Sequence, residues 1–246
     1  MRIRNCPSPN HEPRPAGAEI DILVLHYTGM RSCAEALARL RDPAAKVSAH
    51  YLIDEDGAAY RLVAEEARAW HAGVSHWAGD DDVNSRSVGI ELVNPGHEFG
   101  YRPFPEAQIA TLENLAQAIL TRCPISPSRV VGHSDVAPAR KQDPGELFPW
   151  ERLARSGIGL WPKPSRPLSG TPVFELGDSD PEVAGFQHAL AEYGYGVEAT
   201  GTHDDRSAGV ATAFQRHFRP TLIDGRIDPE CLSILGALLA RPPLTD

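Results

Sequence analysis

The chain has 246 residues, of which 41% are hydrophobic and 23% are charged. A chain of this length forms one large domain, or a medium domain followed by a small one. Its composition excludes wholesale disorder and coiled-coil architecture. The 24 basic and 33 acidic residues leave a formal net charge of -9, which argues against a protein that binds by neutralising nucleic-acid phosphates. We therefore expect no nucleic-acid partner.

The N-terminal segment and the cysteines bear on the cellular compartment. Residues 1–17 contain four prolines and no apolar segment of the signal-peptide kind. The longest apolar run, 232–240, is too short for a bilayer, which needs about 20 residues. Free thiols in a reducing compartment are expected, because no CxxC spacing joins the cysteines, which are Cys6, Cys33, Cys123 and Cys231. We expect a cytoplasmic protein without a membrane span, or a periplasmic one if a leader has been removed.

The first part of the chain alternates strand-like with helix-like segments. Short apolar segments, several of them bounded by turn residues, predict strands at 20–25, 49–54, 58–63, 87–93 and 129–133. Ser32 followed by Glu35 is a capping-box pattern, which predicts a helix that ends before Pro43. A second helix is predicted over 105–120, with apolar residues on one face at Ile109, Leu112, Leu115 and Ile119. The fold class is therefore α/β, a mixed central β-sheet flanked by helices.

A proline-rich segment divides the chain. Residues 158–172 contain four prolines and no periodic apolar pattern, which is typical of a semi-rigid linker. Beyond it, helix-like segments at 181–193, 205–218 and 229–240 predict a small three-helix bundle. We place a first domain at 1–161, a linker at 162–175 and a second domain at 176–246.

Two histidines follow apolar strands. His26 ends one predicted strand and His133 ends another, and active sites of open α/β sheets collect at strand ends. Asp143 comes ten residues after His133, in a proline-rich loop that can fold back toward its strand. Two imidazoles and one carboxylate suit zinc, with a fourth position left for water or substrate. A single histidine at a strand end is more often structural, so the prediction rests on the set.

Glu91 and Lys141 extend this candidate site. Glu91 lies in the middle of the apolar strand SVGIELV, and a buried glutamate beside a metal is a natural general base. The alternative is an edge strand with Glu91 facing solvent, and the pattern alone does not separate the two. Lys141 lies two residues before Asp143, where a solvated lysine would be the ordinary interpretation without the neighbouring ligands. His50, Trp70 and His71 are candidates for the wall of the site, although structural packing explains each of them equally well.

These residues lie in motifs that resemble a known family. The segments LHYTG, SAHYLID, WHAGVS, SVGIEL, GHSDVAPARKQDPG and LFPW are similar to those of zinc-dependent N-acetylmuramoyl-L-alanine amidases of the AmpD/AmiD type, which are related to phage T7 lysozyme and peptidoglycan recognition proteins. The resemblance spans about 7–161. It implies a T7 lysozyme-like fold and one zinc ion per chain, with His26, His133 and Asp143 as ligands. It also implies that Glu91 is the catalytic glutamate and that Lys141 supports the transition state.

The resemblance also implies a substrate and a reaction. The second domain resembles a peptidoglycan-binding three-helix module, and the expected reaction is hydrolysis of the amide between N-acetylmuramic acid, including its 1,6-anhydro form, and L-alanine of the stem peptide. Muropeptides or peptidoglycan are then the partners, and we expect a monomer. The alternative is a muropeptide-recognition protein that binds without cutting, but such proteins lack a zinc ligand. The acidic stretches IDED and GDDDVNS depart from AmpD, which carries arginines near the stem peptide.

Overall fold

The computed structural model describes residues 2–162 and 173–240. The strands are β1 (Ile3–Asn5), β2 (His11–Pro13), β3 (Ile22–Tyr27), β4 (Tyr51–Ile53), β5 (Ala59–Arg61), β6 (Ala67–Ala69), β7 (Ser87–Leu92) and β8 (Val130–Gly132). The helices are α1 (Cys33–Arg41), α2 (Val83–Arg86), α3 (Gly96–Phe99), α4 (Glu106–Arg122), α5 (His133–Val136), α6 (Trp150–Arg155), α7 (Pro181–Tyr193), α8 (Asp205–Phe218) and α9 (Pro229–Leu239). A 3-10 turn, Pro127–Arg129, precedes β8.

Six strands form one mixed sheet in the order β1-β5-β4-β7-β3-β8. The pairs β4/β7, β7/β3 and β3/β8 are parallel, whereas β4 and β5 are antiparallel. Strands β2 and β6 form a separate antiparallel pair. Every strand predicted from the sequence is present, and the predicted fold class, a mixed sheet flanked by helices, is confirmed.

Helices α1 and α4 carry the features that the sequence predicts for them. The Ser32 side chain accepts from the Glu35 backbone N–H and opens α1, as the capping-box pattern predicts. In α4, the predicted apolar face is the buried one. Together with α6 it covers one side of the sheet, where Leu23 and Leu25 of β3 point.

The other side of the sheet faces a different apolar cluster. Ile22 and Val24 of β3 belong to a continuous cluster of buried side chains that also includes Trp77 and runs into α7, α8 and α9. The Trp77 ring contacts the Tyr195 ring, with centroids 5.0 Å apart. The first part of the chain and the C-terminal helices therefore share a core.

The C-terminal helices follow the predicted spans closely, although α9 ends at Leu239. Each begins with an aspartate whose side chain accepts a backbone N–H of the first turn, namely Asp180, Asp204 and Asp228. Most of the predicted linker, 163–172, lies outside the described residues, as does 241–246. Within the described part, no helix is both long and apolar enough to cross a bilayer. All four cysteines are free.

Candidate metal and catalytic site

Three buried side chains meet at the carboxyl end of the parallel strands. The Nδ1 atoms of His26 and His133 are 3.0 Å apart, and each lies 3.0 Å from Oδ2 of Asp143. The three residues are 1%, 4% and 6% exposed. Among the residues that the structure describes, this is the cluster of histidine, cysteine and carboxylate groups that can hold a metal ion.

Adjacent parallel strands produce this meeting. His26 lies in β3, and His133 is the first residue after β8, its neighbour in the sheet. The loop that carries Asp143 folds back on α5, because the Ser134 backbone N–H donates to the Asp143 carbonyl at 2.9 Å. The three residues predicted as metal ligands are thus brought together.

The electrostatics of the cluster suit a cation. Burial, followed by the neighbouring His133, lowers the pKa of His26 to about 4, so that its imidazole is neutral at physiological pH. Burial opposes ionisation of Asp143, but the two imidazoles hold the pKa of this carboxyl well below its usual range. Neutral imidazoles and an ionised carboxylate are the states in which these groups bind metals.

The donor set fits zinc. In a tetrahedral site with zinc–ligand bonds of about 2.1 Å, ligand atoms lie roughly 3.4 Å apart, and here the three donor atoms are 3.0 Å apart. Two imidazole nitrogens and one carboxylate oxygen form a common ligand set for catalytic zinc, with a fourth position for water or substrate. The ligands need only a small outward shift to accept the ion.

Glu91 lies beside this cluster on the neighbouring strand. It is paired in register with His26 between β7 and β3, so that both side chains leave the sheet on the same face. Strand β7 is interior, which excludes the edge-strand alternative for Glu91. Its Oε2 is buried and has no hydrogen-bond partner among the described residues. Burial, reinforced by Asp143, raises the pKa of Glu91 well above its usual value.

A cleft of about 400 Å³ opens onto these groups. It is lined by Glu91, Asp143 and His133 together with Lys141, which forms no ion pair with any described residue. Tyr27, Trp70 and His97 form part of its wall. Four of the five side chains predicted for the site therefore line one cleft, and the fifth, His26, contacts it through Asp143, 3.0 Å away.

Of the three residues predicted as candidates for the wall of the site, two line the cleft and one does not. Trp70 and His71 line the cleft. His50 is fully buried and does not line it, and its Nδ1 accepts from the Gly89 backbone N–H at 2.9 Å. Burial lowers the pKa of His50 to about 3, so its role is that of a neutral structural residue.

Asp135 is a buried residue near the site that was not predicted from the sequence. This buried carboxylate lies two residues after His133 and accepts from the Gly132 N–H, the Tyr195 hydroxyl and His217 Nδ1, each at 2.7 Å. Tyr195 and His217 belong to the C-terminal part of the chain. No local signal in the HSD segment could have identified it, because Tyr195 and His217 are 60 and 82 residues away in sequence.

A buried His–His–Asp cluster at the edge of an α/β sheet, with a glutamate on the next strand, suits metal-assisted hydrolysis. Residues 16–146 match the family of N-acetylmuramoyl-L-alanine amidases, and the chain belongs to this family. Residues 179–235 match a family model for a peptidoglycan binding domain. The resemblance found in the sequence is confirmed.

The relatives match this chain over different extents. The N-acetylmuramoyl-L-alanine amidase AmiD of Escherichia coli K12 is 41% identical and covers 94% of this chain and 86% of its own length. A solved complex of E. coli AmiD with the substrate anhydro-N-acetylmuramic acid-L-Ala-D-gamma-Glu-L-Lys has a TM-score of 0.78 at 40% identity, covering 92% of this chain and 91% of the other. AmpDh3 from Pseudomonas aeruginosa has a TM-score of 0.78 at 39% identity, covering 91% of this chain and 92% of the other. The 1,6-anhydro-N-acetylmuramyl-L-alanine amidase AmpD of Haemophilus influenzae is 34% identical and covers 62% of this chain and 91% of its own length.

Proposed function

We propose that this protein is a zinc-dependent amidase that cleaves the bond between N-acetylmuramic acid, including its 1,6-anhydro form, and L-alanine of peptidoglycan stem peptides. The observation that carries the proposal is the cluster of His26, His133 and Asp143 beside Glu91 in a chain of the amidase family. The E. coli relative was solved with an anhydro-N-acetylmuramic acid peptide as its substrate. The cellular role would be recycling or turnover of the cell wall.

His26, His133 and Asp143 would hold one zinc ion per chain. When bound, the ion would polarise the scissile carbonyl and lower the pKa of the attacking water. The protein itself contributes the neutral His26 imidazole, one ionised carboxylate and a buried pocket, all of which favour the doubly charged ion over protons.

Glu91 would act as the general base and then as the general acid. Glu91 lines the cleft, its Oε2 has no hydrogen-bond partner among the described residues, and its raised pKa suits a group that takes a proton from the attacking water. The same carboxyl would then deliver that proton to the departing alanine nitrogen. Lys141 forms no ion pair with any described residue, and it would stabilise the negative charge that develops on the carbonyl oxygen.

The partners follow from the same assignment. We propose that muropeptides or peptidoglycan occupy the cleft, that 1–161 is the amidase domain, and that 176–246 is a peptidoglycan-binding-like domain joined by 162–175. The match of 179–235 to a peptidoglycan binding domain supports the assignment of 176–246.

We also propose a cytoplasmic location, with the periplasm as the alternative. The free cysteines accord with the cytoplasm, which is a reducing compartment.

The reaction can be tested with purified muropeptides. We expect incubation with 1,6-anhydro and reducing-end N-acetylmuramoyl peptides to release a free sugar and a peptide that begins with L-alanine, identified by mass spectrometry. Comparison of the two substrates would show the sugar preference. Tight binding with no cleavage would instead support a muropeptide-recognition protein, and cleavage at another bond would refute the assignment.

The metal assignment predicts the zinc content. The pure protein is expected to contain about one zinc per chain, and His26→Ala or His133→Ala is expected to lose nearly all of it, because two remaining ligands bind zinc weakly. Elemental analysis after gel filtration measures this, and His188→Ala, on the exposed surface of α7, is the matched control. Full zinc occupancy in either cluster variant would show that the metal lies elsewhere.

A further inference from the structure

A line of hydrogen bonds runs from His26 away from the cleft into the protein. His26 Nε2 lies 3.1 Å from His71 Nδ1, and His71 Nε2 lies 3.1 Å from Ser87 Oγ. Ser87 Oγ lies 2.6 Å from the main-chain carbonyl oxygen of Val83. His26, His71 and Ser87 are all buried, so these contacts do not compete with bulk water.

The carbonyl at the end of the line fixes its direction. A carbonyl oxygen only accepts, so the Ser87 hydroxyl donates to Val83 and its oxygen is left to accept from His71 Nε2–H. A neutral imidazole carries one N–H, so His71 Nδ1 is an acceptor and takes the Nε2–H of His26. His26 Nδ1 then has no proton, and this is the atom that faces His133 and Asp143.

The second histidine of the cluster is set in the same way by a different group. His133 Nε2 lies 3.1 Å from the carbonyl oxygen of Ala72, so Nε2 carries a proton and donates it, and Nδ1 is the nitrogen that faces Asp143. His133 thus uses a carbonyl directly, whereas His26 reaches one only through His71 and Ser87. Residues 71 and 72 therefore hold both imidazoles.

The central strand leaves room for this arrangement. A Cβ atom on Gly89 of β7 would lie only 2.5 Å from Cγ of His71, closer than carbon atoms approach. The glycine of the SVGIEL segment therefore allows the His71 ring to lie against the sheet behind His26.

We propose that His71 is a positioning residue that, anchored by Ser87, holds His26 in the form whose Nδ1 is ready to bind zinc. The proposal rests on the metal site proposed above. Its two observable quantities are the zinc affinity and the position of the proton on His26, and both are measured without substrate. A failure of the amidase assay would therefore not contradict the role proposed for His71.

The test compares variants at position 71. His71→Leu removes the acceptor and is expected to weaken zinc binding about 10- to 100-fold, the usual effect of losing such a partner. His71→Gln offers a carbonyl to His26 and an amide N–H to Ser87, so it is expected to retain affinity within several-fold of the wild type. The zinc Kd is measured by competition with a chromogenic chelator, and His188→Leu is the matched control.

Nitrogen-15 NMR of the zinc-free protein gives an independent readout. We expect His26 to carry its proton on Nε2 in the wild type and in His71→Gln, and to populate both forms in His71→Leu and in Ser87→Ala. If His71→Leu does not fold, Ser87→Ala and His71→Gln still decide the question. The proposal is overturned if Ser87→Ala leaves the proton and the zinc Kd unchanged, or if His71→Gln loses affinity as fully as His71→Leu.

Discussion

Glu91→Gln is expected to lower kcat by about 10²- to 10⁴-fold while leaving the fold and the zinc content intact. Glutamine has the same shape as glutamate, but its amide cannot take a proton from water. Glu91 is paired with His26 in the sheet and is not part of the metal cluster, so the donor atoms stay in place. Turnover of a muropeptide at saturating concentration measures kcat, and zinc analysis of the same sample measures the metal content.

Stability provides a second check on Glu91. Because burial and Asp143 raise its pKa, the zinc-free folded protein holds a proton that the unfolded chain releases. The free energy of unfolding contributed by Glu91 therefore falls as the pH rises above the ordinary glutamate value, and Glu91→Gln lacks this loss. We expect the variant to gain stability over the wild type with rising pH, whereas Glu192→Gln on α7 should track the wild type. Wild-type kcat in Glu91→Gln would assign the base to another residue.

Much of the site can be predicted because it follows from local patterns. His26 and His133 come at the ends of apolar segments, and parallel strands place such ends on one edge of the sheet. Asp143 needs only a loop that folds back over a short distance in sequence. Glu91 was identified as polar within an apolar strand, but whether that strand was interior depended on its pairing with β4.

The contacts that escaped prediction join residues that are distant in sequence. His71 lies outside any regular strand, and nothing near it in sequence indicates that its ring reaches His26. Asp135 has no local signal either, because its partners Tyr195 and His217 come from the C-terminal helices and the residues just after them. Strand periodicity reports which face is buried, but not what covers it.

These distant contacts change the expected relation between the two parts of the chain. The sequence predicts a three-helix unit beyond a linker, and by itself that arrangement suggests independent folding. In the structure, α8 approaches α5, and the His217 ring stacks on Trp150 with centroids 3.7 Å apart. Asp135 is fully buried under these contacts, and α5 begins with the proposed zinc ligand His133.

Ending the chain after Pro162 is therefore expected to destabilise the first part severely. Trp77 and the other apolar side chains of the shared cluster would become exposed, and Asp135 would lose two of its three hydrogen-bond donors. Removing one partner of a buried charged group costs about 3–5 kcal/mol when the other stays buried. We expect the truncated chain to be unfolded, or folded with a much lower thermal midpoint and weaker zinc binding. Circular dichroism and zinc titration measure these effects.

Tyr195→Phe tests the same contact in the complete chain. It removes only the hydroxyl that donates to Asp135, so the free energy of unfolding should fall by about 2 kcal/mol, the usual value for a hydrogen bond to a charged group. For a chain of this size, this corresponds to a thermal midpoint lower by about 4–8 °C. Leu222→Ala, at an exposed position of the C-terminal part, should leave the midpoint unchanged. If the truncated chain keeps its midpoint and its zinc affinity, and Tyr195→Phe melts like the wild type, the C-terminal helices are a separate unit and Asp135 does not depend on them.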